Sequence, residues 1–197
     1  MAAEDDEKRV FREFCADNFG GDPDAVHLWE SPHEGHPTLE VWIWRDSPSD
    51  GVLTAVTYGL STAEHEEWYF ARPELMVRLE TDDIAWALAI ALLADETRGE
   101  VAFEHGTVIG LDEPLASDST MTAFVIYGPP LVEGEEATCD VGDDELPIQL
   151  TGCYPLYEGE VPIVEAEFDA FWSADDYDIF RVDRPDRSKS QRPDRSK

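Results

Sequence analysis

Apolar positions along this chain follow two different periods, and the periods change from segment to segment without regular alternation. Residues 52–58 (Val-Leu-Thr-Ala-Val-Thr-Tyr) are β-branched and aromatic, and Gly59 punctuates their end, which predicts a strand. Leu75, Val77 and Leu79 alternate with Glu74, Met76, Arg78 and Glu80, the period of two expected of a half-buried strand. A polar and aromatic connection separates these segments. They are therefore expected to be neighbouring antiparallel strands joined by a long loop, with the rest of the chain organised around them.

The flanking pattern fills in the remaining elements. Residues 4–18 read as an amphipathic helix with Val10, Phe11, Phe14 and Cys15 on one stripe, stopped by Gly20-Gly-Asp-Pro23. Strands are predicted at residues 26–29, 39–44, 108–111, 122–127 and 147–154, with Pro147 placing the last of these at an edge or a terminus. Residues 84–94 are apolar on every face, so the helix that Thr81 or Asp82 caps is expected to be the buried one. A second amphipathic helix is predicted at residues 158–172, with Val161, Val164, Phe168, Phe171 and Trp172 on a shared face. Glu158 and Glu160 at its start are read as partners of the helix dipole. This order predicts an α+β fold, with a central mixed, largely antiparallel sheet and helices packed on it.

Charge changes the picture of the solvent rather than of the fold. The chain carries 45 acids against 14 bases, net −31. Residues 181–197 hold seven bases and three acids (net +4), which leaves seven bases and 42 acids (net −35) in residues 1–180. Lys8 is the single lysine of that body. An acid-rich, lysine-poor surface stays hydrated in concentrated salt, where repulsion is screened within about 3 Å at 1 M. The composition thus reads as that of a halophilic, archaeal source; the rival reading is a nucleic-acid mimic with its acids on one face. The body is expected to lose structure in low salt and regain it in molar KCl. A melting temperature that stays flat from about 0.1 to 3 M KCl would sink that reading.

The chain is expected to divide into a folded domain, residues 1–180, and a basic, disordered tail, residues 181–197. That tail has no apolar residue after Val182 and repeats itself, Arg184-Pro-Asp-Arg-Ser-Lys189 returning as Arg192-Pro-Asp-Arg-Ser-Lys197. Three cysteines without CxxC spacing suit reduced thiols. No signal peptide is read at the acidic start, and the longest apolar run is too short for a bilayer, so a soluble, cytoplasmic protein is expected.

Candidate chemistry is sparse. Gly59-Leu-Ser-Thr-Ala63 follows a strand as a nucleophile elbow does, but the segment after it lacks the apolar stripe of a buried helix, so Ser61 reads better as a turn or cap residue. His33-Glu-Gly-His36 brings two imidazoles near a carboxylate, with no third metal ligand at diagnostic spacing. No cofactor, catalytic or metal residues are assigned. The aromatic run Trp68-Tyr69-Phe70 in a polar loop is the candidate partner-binding site. Against it stands the reading in which the loop folds those rings back over the sheet.

A resemblance extends this reading. Thr57-Tyr-Gly-Leu-Ser61, Pro73-Glu-Leu-Met-Val-Arg-Leu79, Met121-Thr-Ala-Phe-Val-Ile-Tyr127 and Cys153-Tyr-Pro-Leu-Tyr-Glu-Gly-Glu160 resemble blocks of the suppressor-of-fused family, in its microbial single-domain form. The resemblance implies a mixed sheet with helices packed against it, no catalytic role, and a protein partner. Animal members of that family sequester a transcription factor by gripping a peptide, and microbial members are inferred to be immunity proteins that neutralise polymorphic toxins. The expectation is therefore a non-enzymatic protein-binding module, specifically a toxin immunity protein. The alternatives are a general adaptor or regulatory binding protein, or a hydrolase using Ser61 or a metal at His33 and His36. Neither a nucleic-acid nor a membrane partner is expected.

Overall fold

A computed structural model describes residues 2–111, 113–117, 119–142, 145–173, 178 and 180–190. Among the described residues, four α-helices, α1 (Ala2–Phe19), α2 (Ala85–Glu96), α3 (Val161–Trp172) and α4 (Arg187–Ser190), accompany eight strands. The strands are β1 (Ala25–Trp29), β2 (Leu39–Arg45), β3 (Val52–Tyr58), β4 (Arg72–Glu80), β5 (Val108–Gly110), β6 (Met121–Tyr127), β7 (Thr138–Cys139) and β8 (Ile148–Tyr157). They form one mixed sheet in the order β1-β2-β3-β4-β8-β6-β5, with β7 alongside β8. The α+β reading and the strand positions agree with this architecture, including the antiparallel pairing of β3 with β4.

β4 and β8 run parallel, Arg72 opposite Ile148 and Met76 opposite Gly152, whereas the other strand ladders are antiparallel. Past Gly152, β8 pairs with β6 alone, Cys153 opposite Ile126 and Leu156 opposite Ala123. Pro155 lies in that one-sided stretch, where the missing N–H of a proline is tolerated.

Both faces of the sheet are covered, because the strands alternate two apolar sets. Leu39, Val41 and Ile43 of β2, Leu53 and Ala55 of β3, and Leu75, Val77 and Leu79 of β4 meet Trp86, Ile90 and Leu93 of α2. Trp42, Trp44, Val56, Tyr58 and Met76 point the other way, to Phe11, Cys15 and Phe19 of α1. On that same side, α3 sets Val164 and Phe171 over Ala123, Val125, Tyr154 and Leu156. Phe11, Trp42 and Tyr58 form an aromatic stack, with ring centroids 5.4 to 5.9 Å apart.

Two sequence expectations are corrected here. β4 is buried on both faces from Pro73 to Leu79, not half-buried, because α1 closes the face that Glu74, Met76 and Arg78 share. Arg78 is held by Glu135 through two bonds, Nη1 to Oε2 at 2.8 Å and Nη2 to Oε1 at 3.0 Å, and donates to the Pro130 carbonyl at 2.6 Å. The second correction concerns the C-terminal segment. Residues 181–190, expected in a disordered tail, lie against the domain: the Phe180 carbonyl accepts the Glu80 N–H at 2.7 Å, and the Arg181 backbone forms a parallel β-bridge with Glu80. Backbone pairing and the Arg184–Glu160 ion pair, neither of which an apolar-periodicity reading detects, hold this segment. The second hexapeptide, residues 192–197, lies outside the described residues.

A candidate partner-binding surface

The site grows from the turn after β3. Gly59 adopts φ 117°, a left-handed conformation that glycine accepts without strain. Its reversal starts a short 3₁₀ turn, Leu60–Thr62, and aims two backbone N–H groups at one buried side chain. Glu74 Oε1 accepts from Gly59 N–H at 2.7 Å, Ser61 N–H at 2.9 Å and the Ser61 hydroxyl at 2.7 Å. Glu74 Oε2 accepts from the Thr57 hydroxyl at 2.6 Å. Burial raises the Glu74 carboxyl pKa above its ordinary value, and these donors oppose the rise. The turn is thus bolted to β4 from beneath.

Arg72, the first residue of β4, fixes the same region from above. It pairs with Glu7 of α1 (Nη2 to Oε2, 2.8 Å) and donates to the Ser61 carbonyl at 3.2 Å. Its Nε and Nη2 also donate to the Leu146 carbonyl, at 3.1 and 2.9 Å. A helix, a turn and the lead-in to β8 are therefore tied to one guanidinium, the bidentate-capable donor suited to such a junction.

Residues 64–70 span this rigid base, and the three aromatics separate. Trp68 is buried, at 8% exposure, with its ring 5.6 Å from His65. It belongs to the support of the loop, correcting its assignment to an exposed site, because its indole packs into the core under α2. Tyr69 and Phe70 are 70% and 88% exposed. Phe70 stands two residues before β4, and Leu146, 36% exposed, stands two residues before β8, so the parallel register puts both at the same end of the sheet. The acids Glu64, Glu66, Glu67 and Glu145, close to them in sequence, are exposed. The result is an exposed aromatic pair with acidic sequence neighbours, carried at the end of paired strands. Leu146 is not signalled in the sequence, since only the parallel β4–β8 pairing brings it to the same end of the sheet as Phe70.

The candidate chemical groups are otherwise occupied. Ser61 is fully buried and spends its hydroxyl proton on Glu74, so it cannot meet a substrate. His33 Nε2 lies 3.1 Å from Glu96, and His36 Nδ1 lies 3.1 Å from the buried Asp95, which also accepts from Trp29 Nε1 at 3.2 Å. These bonds clasp the 31–37 connection to the end of α2. Among the described residues, no group of three or more His, Cys, Asp and Glu side chains is placed to hold a metal ion. Cys15, Cys139 and Cys153 are buried free thiols. Burial pushes all three upward, Cys139 to about 11, so none supplies a thiolate nucleophile at neutral pH. No helix of the described residues is long and apolar enough to cross a membrane.

Residues 35–187 match the family model described as suppressor of fused protein (SUFU). The fold is similar to that of a suppressor-of-fused homologue from Neisseria gonorrhoeae, with a TM-score of 0.63 at 15% identity, covering 94% of this chain and 97% of that one. It is also similar to a chain of the Sufu–Fu complex, with a TM-score of 0.60 at 12% identity, covering 93% and 89%. For Drosophila Suppressor of Fused the TM-score is 0.52 at 13% identity, and the match covers 75% of this chain but 42% of that one. No curated protein matches the chain in sequence.

Proposed function

The chain belongs to the suppressor-of-fused family, and from that premise we propose that it is a non-enzymatic protein-binding module acting as an immunity protein against a polymorphic toxin. The observation that carries this reading is the exposed pair Tyr69 and Phe70, mounted on the Arg72 and Glu74 anchorage in a loop rich in exposed acids. Large aromatics on a rigid base lose little entropy on binding and dominate interface energetics, while the loop's exposed acids suit a basic partner and speed its approach. A relative crystallised as the Sufu–Fu complex supports a protein partner. Near-complete coverage of the bacterial homologue, against less than half of the Drosophila protein, supports the microbial, single-domain comparison from which the toxin role is argued.

The test is calorimetry of the full chain against the product of the adjacent gene, at matched salt. Tyr69→Ala with Phe70→Ala is expected to weaken binding by about 2 kcal/mol or more, roughly 30-fold in Kd, with circular dichroism unchanged. Full binding by the double variant would move the site elsewhere on the surface. A neighbouring product that does not bind the unmodified chain would leave a general adaptor in place of an immunity protein.

A further inference from the structure

Residues 184–189 and 192–197 are the same hexapeptide, Arg-Pro-Asp-Arg-Ser-Lys, and the first copy fills a receptor built from β8, its following turn and α3. Arg184 is buried and grips Glu160 through two bonds of 2.7 Å, Nη1 to Oε1 and Nη2 to Oε2. Its Nη2 also donates to the Pro155 carbonyl at 2.8 Å, and its guanidinium lies 5.3 Å from the Tyr157 ring centroid. The Tyr157 hydroxyl in turn donates to the Arg184 carbonyl at 2.7 Å. Arg187 gives its backbone N–H to Glu160 at 3.0 Å, donates Nη1 to the Phe171 carbonyl at 2.7 Å, and lies 4.7 Å over the Phe171 ring. Asp186 accepts from the Ser188 N–H and hydroxyl at 3.0 and 2.6 Å. Ser188 then presses on Gly159, where an added Cβ would collide with the Ser188 hydroxyl.

Every residue that makes these contacts recurs, in the same order, eight positions later. We propose that this cleft is a receptor for the Arg-Pro-Asp-Arg-Ser segment and that the second copy, residues 192–197, is an alternative occupant of it in the same molecule. The C-terminal strap then has two registers. In the second, Arg192 takes the Glu160 carboxylate, Arg195 the Phe171 carbonyl, and the intervening residues form slack. Slack of that length is tolerated, since the entropy of closing a loop grows only logarithmically with its length. Both copies are tethered to the receptor, so exchange needs no second molecule.

The experiment uses full-length variants, melted at one molar-KCl condition. Arg192→Ala is expected to melt with the unmodified chain, and Arg184→Ala only slightly below it, because Arg192 replaces the lost side chain. Arg184→Ala with Arg192→Ala is expected to fall by roughly 10 °C, the effect of leaving a buried carboxylate unpaired in a chain of this size. This excess over the sum of the single losses is the signature of two ligands sharing a site. If Arg184→Ala alone falls as far as the double variant, or fails to fold, the second copy is not an occupant and the proposal is overturned. A melting temperature of Arg184→Ala that rises with protein concentration would also overturn it, because the replacement would then come from another chain.

Discussion

Replacing Glu160 by alanine is expected to destabilise the folded protein by about 3–5 kcal/mol, since it breaks a buried charge pair from one side. Glu160 is fully buried, and it is the common acceptor for both Arg184 nitrogens and for the N–H groups of Arg187 and Tyr157. Without it, Arg184 keeps the Pro155 carbonyl but loses its counter-charge. Because Glu160 belongs to the receptor rather than to the hexapeptide, neither copy of that sequence can compensate. Denaturant titration at fixed KCl measures the loss directly, and a change below about 1 kcal/mol would show that the strap contributes little to the fold. Truncation after Asp183, which the sequence reading would tolerate, should be destabilising for the same reason.

The strap also shows where legibility ended. Strands and helices were readable because apolar side chains have a period, and the two sets of β2, at Val41 and Ile43 and at Trp42 and Trp44, sit on opposite faces as their spacing demands. Charged residues have no such signature. Glu74, Arg78 and Glu160 sit at positions that read as solvent-facing or dipole-pairing, yet each is buried against a partner far along the chain. Glu160 lies next to helix α3, so the dipole reading was sufficient locally; nothing near it in sequence announces Arg184. A strongly acidic chain hides its few structural carboxylates among its many solvated ones. The converse signal was available, because basic residues are scarce: Arg72, Arg78 and Arg184 each bind a specific carboxylate.

The candidate surface was legible by composition and not by placement. Trp68-Tyr69-Phe70 is conspicuous as a run, but successive residues in a loop need not share a side. The support for Trp68 comes from the core under α2, whereas Tyr69 and Phe70 stay outside. Leu146 joins them through a parallel pairing between strands that are distant in sequence, which periodicity cannot specify.

Glu74→Leu is expected to cost about 3 kcal/mol. The substitution places an apolar side chain of similar size under α1 but removes the acceptor of two backbone N–H groups and two hydroxyls. Each buried donor left without a partner costs about 1–3 kcal/mol, and the relief from no longer burying a carboxylate offsets part of the sum. The Thr57 hydroxyl can turn, but the N–H groups of Gly59 and Ser61 are fixed by the reversal at Gly59, and both donate to Glu74 Oε1. Glu74→Gln should cost less, because its amide oxygen can still receive the fixed donors while its NH2 faces the Thr57 oxygen. Ser61→Ala, which deletes one donor and strands none, should be the mildest of the three. Beyond stability, the 3₁₀ turn is the base on which residues 64–70 stand. Glu74→Leu should therefore also increase amide exchange in that loop and weaken partner binding at temperatures where the domain is still folded. Equal stability for all three variants in denaturant titrations would show that the turn is held by its own backbone rather than by Glu74.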